Sequence, residues 1–443
     1  MILLSPGCAT WRQRTIEFHD AVYSGNFDAA DQLLAKSKGQ ARKKNRILYH
    51  MNKGYVKFMQ GDVAGSNEAL EKAETLAEDQ RRGPLSATAA VLTNPEARPY
   101  RPEDFELIMI NFYKAMNYLR ANDREGALVE ARKINLKLDR LNDKYPDHKN
   151  RYQRDAFAHL LMALIYDASR DDNNAFVAYR NAYDVYRSDY APLFGIAAPE
   201  QLKRDLLRSA YRNGFMDELK AYEREFGMTH VPAAAGGDLV FFWLNGLGPV
   251  KERSMIHLVA SHAGGIVTFQ NEELGLSFPF VLGAGMGSLS DTRALSIAFP
   301  RYAVRPPFYV NGRLTINDRR YPLEMVENIN EIALKTLRDR AARELFNTLS
   351  RLVVKTSVER IAREQNPWLG LAVGIFNSAT ETVDTRNWQT LPYAISYARV
   401  PLAAGDNEVT LECISREGLY RAERLRVNGD GRGTVFHLFQ TMR

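Results

Sequence analysis

Cysteine and long hydrophobic runs are scarce in this sequence. Its 443 residues include two cysteines, Cys8 and Cys413, which cannot form a disulfide framework, and no spacing of Cys and His resembles a zinc site. The longest apolar run, 368–376, falls far short of the roughly 20 residues that a membrane-spanning helix needs. Cys413 lies in an alternating strand pattern, where the role of a small buried hydrophobe is expected.

Sequence motifs of the common enzyme classes are absent as well. There is no Gly-x-Ser-x-Gly elbow, no phosphate-binding P-loop and no His-Glu-x-x-His metal motif. Segment 283–288 superficially resembles a dinucleotide loop, but it lacks the third glycine, so a flexible β-loop is expected. His257 and His262 would face opposite sides of a strand, which argues against a shared metal or a catalytic triad. We therefore predict no catalytic residue, no cofactor and no metal site.

The composition is that of an ordinary globular protein. Hydrophobic residues make up 45% of the chain and charged residues 25%, which is enough apolar material for the cores of two or three domains. The net charge of +6 is a mild excess that suits anionic partners or lipid headgroups. Because the basic residues are spread along the chain and form no stripe, we expect no nucleic-acid partner.

The chain opens with an apolar run that ends in Gly-Cys at residues 7–8, which resembles the end of a bacterial lipoprotein signal. In such signals the cysteine is acylated, the signal is removed, and the lipid chains hold the protein on the membrane. We therefore predict lipidation of Cys8. In the lipoproteins that this start resembles, an Asp after the cysteine marks retention in the inner membrane, and Ala9 stands there instead, which favours the outer membrane. Because the apolar run is short and lacks a basic segment, the alternatives are an upstream start and a cytoplasmic protein with an apolar N-terminus.

The first half of the chain repeats a pattern of small and aromatic residues that is typical of tetratricopeptide (TPR) helical hairpins. Small residues let two helices approach closely, and aromatic residues fill the gaps between them. We predict a TPR-like α-solenoid over 11–230, in which Tyr118, Tyr166 and Tyr179 are packing residues rather than ligand-binding aromatics, interrupted by a loop over 81–101. The copies are found at 163–182, 115–131 and 54–73, with weaker outer copies at 25–30 and 214–219.

The pattern changes to alternating strands after a small-residue linker at 231–237, which is a predicted domain boundary. The sequence Asn428-Gly429-Asp430-Gly431 predicts a hairpin turn between two of these strands. We predict a β-sandwich or an open barrel over 238–443, and so an α+β multidomain protein, with residues 1–10 as the anchor and a helical insertion at 328–386. The predicted strands are 239–244, 254–260, 265–270, 294–300, 308–310, 393–400, 408–414, 419–427 and 434–440.

The helical insertion carries an apolar stripe from Ile332 to Ile361, with arginines over the rest of its surface. A helix pair that covers one face of the sheet is the favoured interpretation. The alternative is that the run 368–376 packs on a partner or on the inner face of the outer membrane, through Trp368, Leu371 and Ile375. Nine apolar residues can lie in an interface but cannot cross a bilayer. Replacing Leu371 and Ile375 with Glu would abolish binding if the run is an interface. The same replacement would lower the melting temperature if the run is part of the core.

Several segments of the chain resemble a family of bacterial TPR-containing outer-membrane lipoproteins to which no activity is assigned. The resemblance rests on Tyr100–Glu106, Ala115–Leu119 with Gly126–Arg132, Asp384–Pro392 and Ala398–Leu402, and it covers most of the chain. It implies a Gram-negative outer membrane and neighbouring small lipoproteins similar to activators of penicillin-binding proteins. Tyr100 and Arg101 are further candidates for a partner interface.

These observations favour a periplasmic scaffold lipoprotein over an enzyme. It would bind other envelope proteins, small lipoproteins among them, through the TPR repeats and the β-domain of a cell-envelope complex, and it would be held on the outer membrane by its lipid. The alternative is a cell-envelope enzyme with its site in the β-domain, which alanine replacement of His257, His262 and Asp384 would test. The sequence leaves the partner and the oligomeric state open.

Overall fold

The computed structural model describes residues 11–37, 39, 43–82, 98–143, 152, 154–232, 236–272, 275–281, 294–341, 345–346, 349–350, 383–418 and 420–442. Helices fill the first half of the chain, and strands fill most of the second. The helices are α1 (Trp11–Tyr23), α2 (Phe27–Lys36), α3 (Arg46–Met59), α4 (Val63–Arg82), α5 (Asp104–Arg120), α6 (Arg124–Asp143), α7 (Ala156–Ala168), α8 (Asp172–Val185), α9 (Ala191–Phe194), α10 (Glu200–Asn213), α11 (Met216–Phe226) and α12 (329–341).

The strands follow the pattern of alternating residues in the sequence. They are β1 (Gly237–Asn245), β2 (Val250–Ala263), β3 (Ile266–Asn271), β4 (Leu276–Val281), β5 (Ala294–Ala303), β6 (Tyr309–Ile316), β7 (Arg319–Pro322), β8 (Glu324–Asn328), β9 (Ala394–Leu402), β10 (Gly405–Ser415), β11 (Tyr420–Gly429) and β12 (Thr434–Thr441). Among the described residues, no helix is long and apolar enough to span a membrane.

Consecutive helices form hairpins at the places that the repeat pattern predicted, and the turns before α2, α4, α6 and α8 share one chemistry. A residue with positive φ, such as Gly61 at 78° or Asn122 at 57°, ends the first helix. An Asp or Asn follows and caps the second helix, as Asp123 Oδ1 does by accepting from Gly126 N at 2.8 Å. The turn before α11 differs, because Phe215 is its N-cap residue and makes no capping hydrogen bond. Close approach requires glycine at position 54, since a Cβ there would lie 2.5 Å from Leu70 Cγ.

The strands described form three four-stranded sheets and close no barrel. The central sheet has the order β12-β1-β9-β8, the outer sheet β11-β10-β6-β7, and the arm sheet β4-β3-β2-β5. The pairing of β1 with β12 is parallel, whereas β1 pairs with β9 in antiparallel fashion. The predicted open barrel is therefore replaced by separate sheets.

The predicted hairpin at 428–431 is wrong. Its turn chemistry is present, because Gly431 has φ of 76° and Asp430 Oδ1 accepts from Arg432 N at 2.8 Å. The flanking strands do not pair with each other, however: β11 pairs with β10 and β12 pairs with β1. The segment carries the chain from the outer sheet to the central sheet, so β11 pairs with the strand that directly precedes it, whereas β12 pairs with a strand that is distant in sequence.

The central sheet is buried on both faces, which explains the unbroken apolar run of β1. Leu239, Phe241 and Trp243 join the apolar cluster of the outer sheet, where Cys413 is fully buried as expected and burial raises the pKa of its thiol to about 12. The alternate residues, of which Phe242 is one, face the helices. Phe242 packs edge-on against Phe157 of α7 at 5.8 Å between ring centroids.

The helices that face the central sheet are buried around almost their whole circumference. In α5, 14 of 17 residues are buried, and in α7, 11 of 13, as expected of helices that are covered on all sides. Tyr55 OH donates to Gln440 Oε1 at 3.2 Å, and Tyr186 OH donates to the Val326 carbonyl at 2.8 Å. The helices and strands thus share one core. The small-residue linker at 231–237 had led us to expect few contacts between the helical half and the β-rich half of the chain.

The described part of the helical insertion covers the arm sheet. Ile332, Leu337, Leu345 and Leu349 of the predicted stripe are buried, and Phe346 stacks on Phe280 of β4 with 5.6 Å between ring centroids. This placement agrees with a covering helix. Trp368, Leu371 and Ile375 lie outside the described residues, as does Cys8.

Candidate functional site

Two of the segments that carry the family resemblance meet in the folded protein, although they are remote in sequence. Trp388 N donates to Glu106 Oε1 at 2.6 Å across a separation of 282 residues. The Arg386 guanidinium lies 5.6 Å from the centroid of the Tyr100 ring. We call the cluster of these four residues, together with Glu103 and Lys251, the motif junction.

The motif junction is built on the first turn of α5. Glu103 is the N-cap residue, and its backbone N–H donates to Glu106 Oε2 at 2.8 Å, which completes a capping box. Glu106 Oε2 also accepts from Tyr100 OH. The carboxylate of Glu106 therefore has three donors, from the loop before α5, from the cap itself and from the segment before β9.

The two carboxyl groups of the motif junction have opposite pKa shifts. Burial works against the charge of Glu103, but Arg340 and Lys251, each 2.6 Å away, outweigh it and lower the pKa to about 2. Burial and the negative charge of Glu103 raise the pKa of Glu106 to about 7. The ion pairs join α5 to the start of β2 and to α12, so this site fastens helices to strands.

The structure corrects part of the predicted partner interface. Tyr100 is 1% exposed, so its side chain stabilises the motif junction and is not available to a partner. The sequence motif does not show whether the ring of Tyr100 faces solvent or the core, and for this reason Tyr100 was predicted to lie at a partner interface. Arg101 beside it is exposed.

The pKa of Glu106 leads to a pH prediction. Folding raises this pKa from 4.5 to about 7. The stability that neutral Glu106 contributes is therefore complete below about pH 4.5 and is lost as the pH rises to about 7. The free energy of unfolding should fall by roughly 3 kcal/mol at most over this range. Glu106→Gln should remove this dependence. The variant should be less stable overall, since its amide cannot accept from all three donors. Urea unfolding between pH 4.5 and 7.5 measures both effects, with Asp217→Asn on the exposed face of α11 as the control. An unchanged slope in the Gln variant would refute the assignment.

A second charged cluster, the arginine junction, lies where β9 meets the helices. Arg399 is 7% exposed and contacts Asp167 of α7 at 2.9 Å, Asp205 of α10 at 3.4 Å and Asp238 of β1 at 2.7 Å. Its guanidinium also donates to Tyr179 OH at 2.9 Å.

Two further arginines balance the charge of the arginine junction. Arg208 contacts the same three carboxylates, and Arg212 reaches Asp167 at 2.8 Å. Burial opposes ionisation of Asp167, but Arg399, Arg208 and Arg212 prevail and lower its pKa to about 2. Burial raises the pKa of Asp205.

Sequence reasoning missed the arginine junction, although one signal was present. Arg399 is the only charged residue of strand β9, in which eight of nine residues are buried. A charged residue in such a strand needs a buried partner. Its partners lie on α7, α10 and β1, and nothing local in the sequence identifies them.

The residues considered for an enzymatic site do not converge. Asp384 pairs with Arg386 at 2.5 Å and belongs to the motif junction. His257 Nδ1 lies 2.8 Å from Ser296 Oγ across the exposed face of the arm sheet, whereas His262 lies near the exposed end of β2. Within the described ranges, no group of three or more His, Cys, Asp or Glu side chains is placed to hold a metal ion.

Comparison with known proteins yields weak similarity. No family model matches the chain, and no curated protein matches it. Among solved structures, the apo form of RapI aligns with 48% of this chain and 67% of its own at 11% identity and a TM-score of 0.34. MamA aligns with 47% and 91% at 14% identity and a TM-score of 0.30. BtubC from P. vanneervenii aligns with 50% and 83% at 13% identity and a TM-score of 0.33. Likeness at this level identifies neither a family nor a function.

Proposed function

We propose that the protein is a lipid-anchored scaffold of the bacterial cell envelope, in which TPR-type hairpins and a β-domain together hold partner proteins at the periplasmic face of the outer membrane. Helical-hairpin arrays provide extended surfaces for binding other proteins. The observation that carries the proposal is the joining of such an array to the central and arm sheets through a common core and to their strands through two charged junctions. This arrangement supports a rigid scaffold, in which the binding surfaces of the helices and of the sheets have fixed positions relative to one another.

The faces of α5 and α7 that arrays of this kind would use for a ligand are covered by the central sheet. Partners are therefore proposed to bind the second helices of the hairpins, whose outer faces carry exposed apolar side chains. Val129 and Leu136, seven residues apart on α6, are 51% and 54% exposed, and Val177 on α8 is 37% exposed. Residues seven apart lie on the same face of a helix.

A pull-down from detergent-solubilised envelopes, read by mass spectrometry, tests the scaffold. Replacing Val129 and Leu136 together with Glu should lower the recovery of the partners at least several-fold and leave the melting temperature nearly unchanged, because both side chains are exposed. Val231→Glu, at a residue that is 78% exposed, is the matched control and should recover the partners normally. Failure to recover any reproducible partner with the unmodified chain would count against the proposed function.

Anchoring is a separate prediction. Radiolabelled palmitate should enter the precursor when it is expressed with an intact signal, and Cys8→Ala should abolish the label, because the cysteine thiol is the acceptor of the lipid. The matched control is Cys413→Ala, which should keep full labelling, since that thiol is buried in the outer sheet. A precursor that takes up no label would show that the lipoprotein assignment is wrong.

The alternative, an envelope enzyme with a site in the β-domain, is favoured by one contact. His257 lies within hydrogen-bond distance of Ser296 Oγ, which is the arrangement of a base beside a hydroxyl nucleophile. Loss of function in His257→Ala and Ser296→Ala with intact partner recovery would support the enzyme. Asp384→Ala would report on the motif junction, because Asp384 pairs with Arg386 there.

A further inference from the structure

A small cavity of about 10 Å³ lies among α5, α6, α7 and β8. Its walls are mainly apolar, but they include two carboxyl groups, Asp155 and Glu327, each 2% exposed. A volume of this size holds about one water molecule. The apolar walls come from Phe105, Ile108, Met109, Phe112, Ile134 and Ile329, among others.

Hydrogen-bond donors surround the two carboxyl groups unequally. Asp155 caps α7 by accepting from Ala158 N at 2.7 Å, and it accepts from Tyr152 OH at 2.6 Å. Glu327 Oε2 accepts from Tyr190 OH at 3.1 Å. The other oxygen of Glu327, Oε1, is buried without a hydrogen-bond partner.

No cation balances this pair within the described part of the chain. The groups that face it are the phenols of Tyr152, Tyr186 and Tyr190, from the segment before α7 and the π-helical turn after α8, while α5 and α6 present only apolar side chains to the cavity. Two buried carboxylates without a counter-ion cannot both stay ionised. The cap of α7 stabilises the charge of Asp155, so the proton belongs on Glu327.

We propose that Asp155 and Glu327 share one proton, and that this proton fastens α7 to β8, so that its loss as the pH rises opens the contact between the helical array and the central sheet. The direction follows from the environment. Burial first, and then the charge of Asp155, raise the pKa of Glu327 well above its usual value, so stability is greatest at low pH and declines as the pH rises. The backbone next to Glu327 would separate from the helices at the same time, because Tyr186 OH donates to the carbonyl of Val326 across this contact.

Hydrogen exchange of the full chain between pH 5 and pH 9 tests the proposal. The readout is the opening of amides in α7 and β8, compared at each pH between the unmodified chain and Glu327→Gln, so that the intrinsic pH dependence of exchange cancels. Gln keeps the neutral side chain at every pH. The ratio of the two opening constants should rise about tenfold for each pH unit below the pKa of Glu327 in the folded chain.

Two further variants keep the test decisive. Asp155→Asn retains a cap for α7 but removes the opposing charge, so the rise of the opening constant should stop at a lower pH than in the unmodified chain, because burial alone then raises the pKa of Glu327. This variant serves if the Gln variant does not fold. Glu331→Gln, a half-exposed residue just after β8, should behave like the unmodified chain. Identical pH dependence in all the variants would overturn the proposal. So would an increase in melting temperature on addition of CaCl₂ that Glu327→Gln abolishes, because the pair would then bind a cation in place of a proton.

Discussion

Replacing Arg399 with alanine should lower the free energy of unfolding by about 3–5 kcal/mol, because removal of one partner from a buried ion cluster leaves the others uncompensated. Three carboxylates, on α7, α10 and β1, depend on this guanidinium. Arg208 cannot replace it, since it already contacts the same groups from the helical side. Urea unfolding of the full chain at pH 7 gives the value.

Two controls separate charge from geometry at Arg399. Arg399→Lys keeps the charge but cannot reach three carboxylates with one ammonium, so its loss should lie between zero and that of the alanine variant. Arg421→Ala removes an arginine that is 47% exposed on the edge strand β11 and should change stability by no more than about 0.5 kcal/mol. A loss below about 1 kcal/mol in Arg399→Ala would show that the cluster contributes little to the fold.

The elements of this fold that sequence predicts well are those whose causes are local. The turn of a helical hairpin needs a residue that tolerates positive φ, followed by a capping side chain. The pairs Gly61-Asp62 and Asn122-Asp123 provide both, and they are recognisable in the sequence alone. Strands such as β1 and β10 follow from runs of apolar and alternating residues. Tyr179 was expected to pack between helices, and it is fully buried.

The features that sequence did not predict depend on partners far away in the chain. Asn428–Gly431 has the chemistry of a tight turn, yet burial of β12 beside β1 decides the pairing. Lys114 is 2% exposed and paired with Glu74 and Glu130, which no local pattern distinguishes from a solvated lysine. The motif junction is similar, because each of its two segments is conspicuous alone and their meeting is visible only in three dimensions.

The shared core also decides what happens when the halves are separated. Residues 9–230 expressed alone should lack a cooperative thermal melt and should aggregate or bind a hydrophobic dye, because α5 and α7 would expose the side chains that now pack on the central sheet. Phe157, for example, loses its contact with Phe242, and Asp167 and Asp205 lose Arg399. Helical signal in circular dichroism should persist, since the hairpin turns are local, but without a sharp transition.

The matched control for the fragment is the full chain cut within 231–237 after folding, at an inserted protease site. This cut removes only the covalent link, and the linker contributes little, since Val231 is 78% exposed. If the interface holds the halves together, the nicked protein should elute as one species and melt close to the intact chain, whereas the isolated fragment does not. A fragment that melts cooperatively near the temperature of the intact chain would show instead that the hairpins form a self-sufficient domain. The central sheet would then be an attached layer, and the faces of α5 and α7 would be open to partners whenever it leaves.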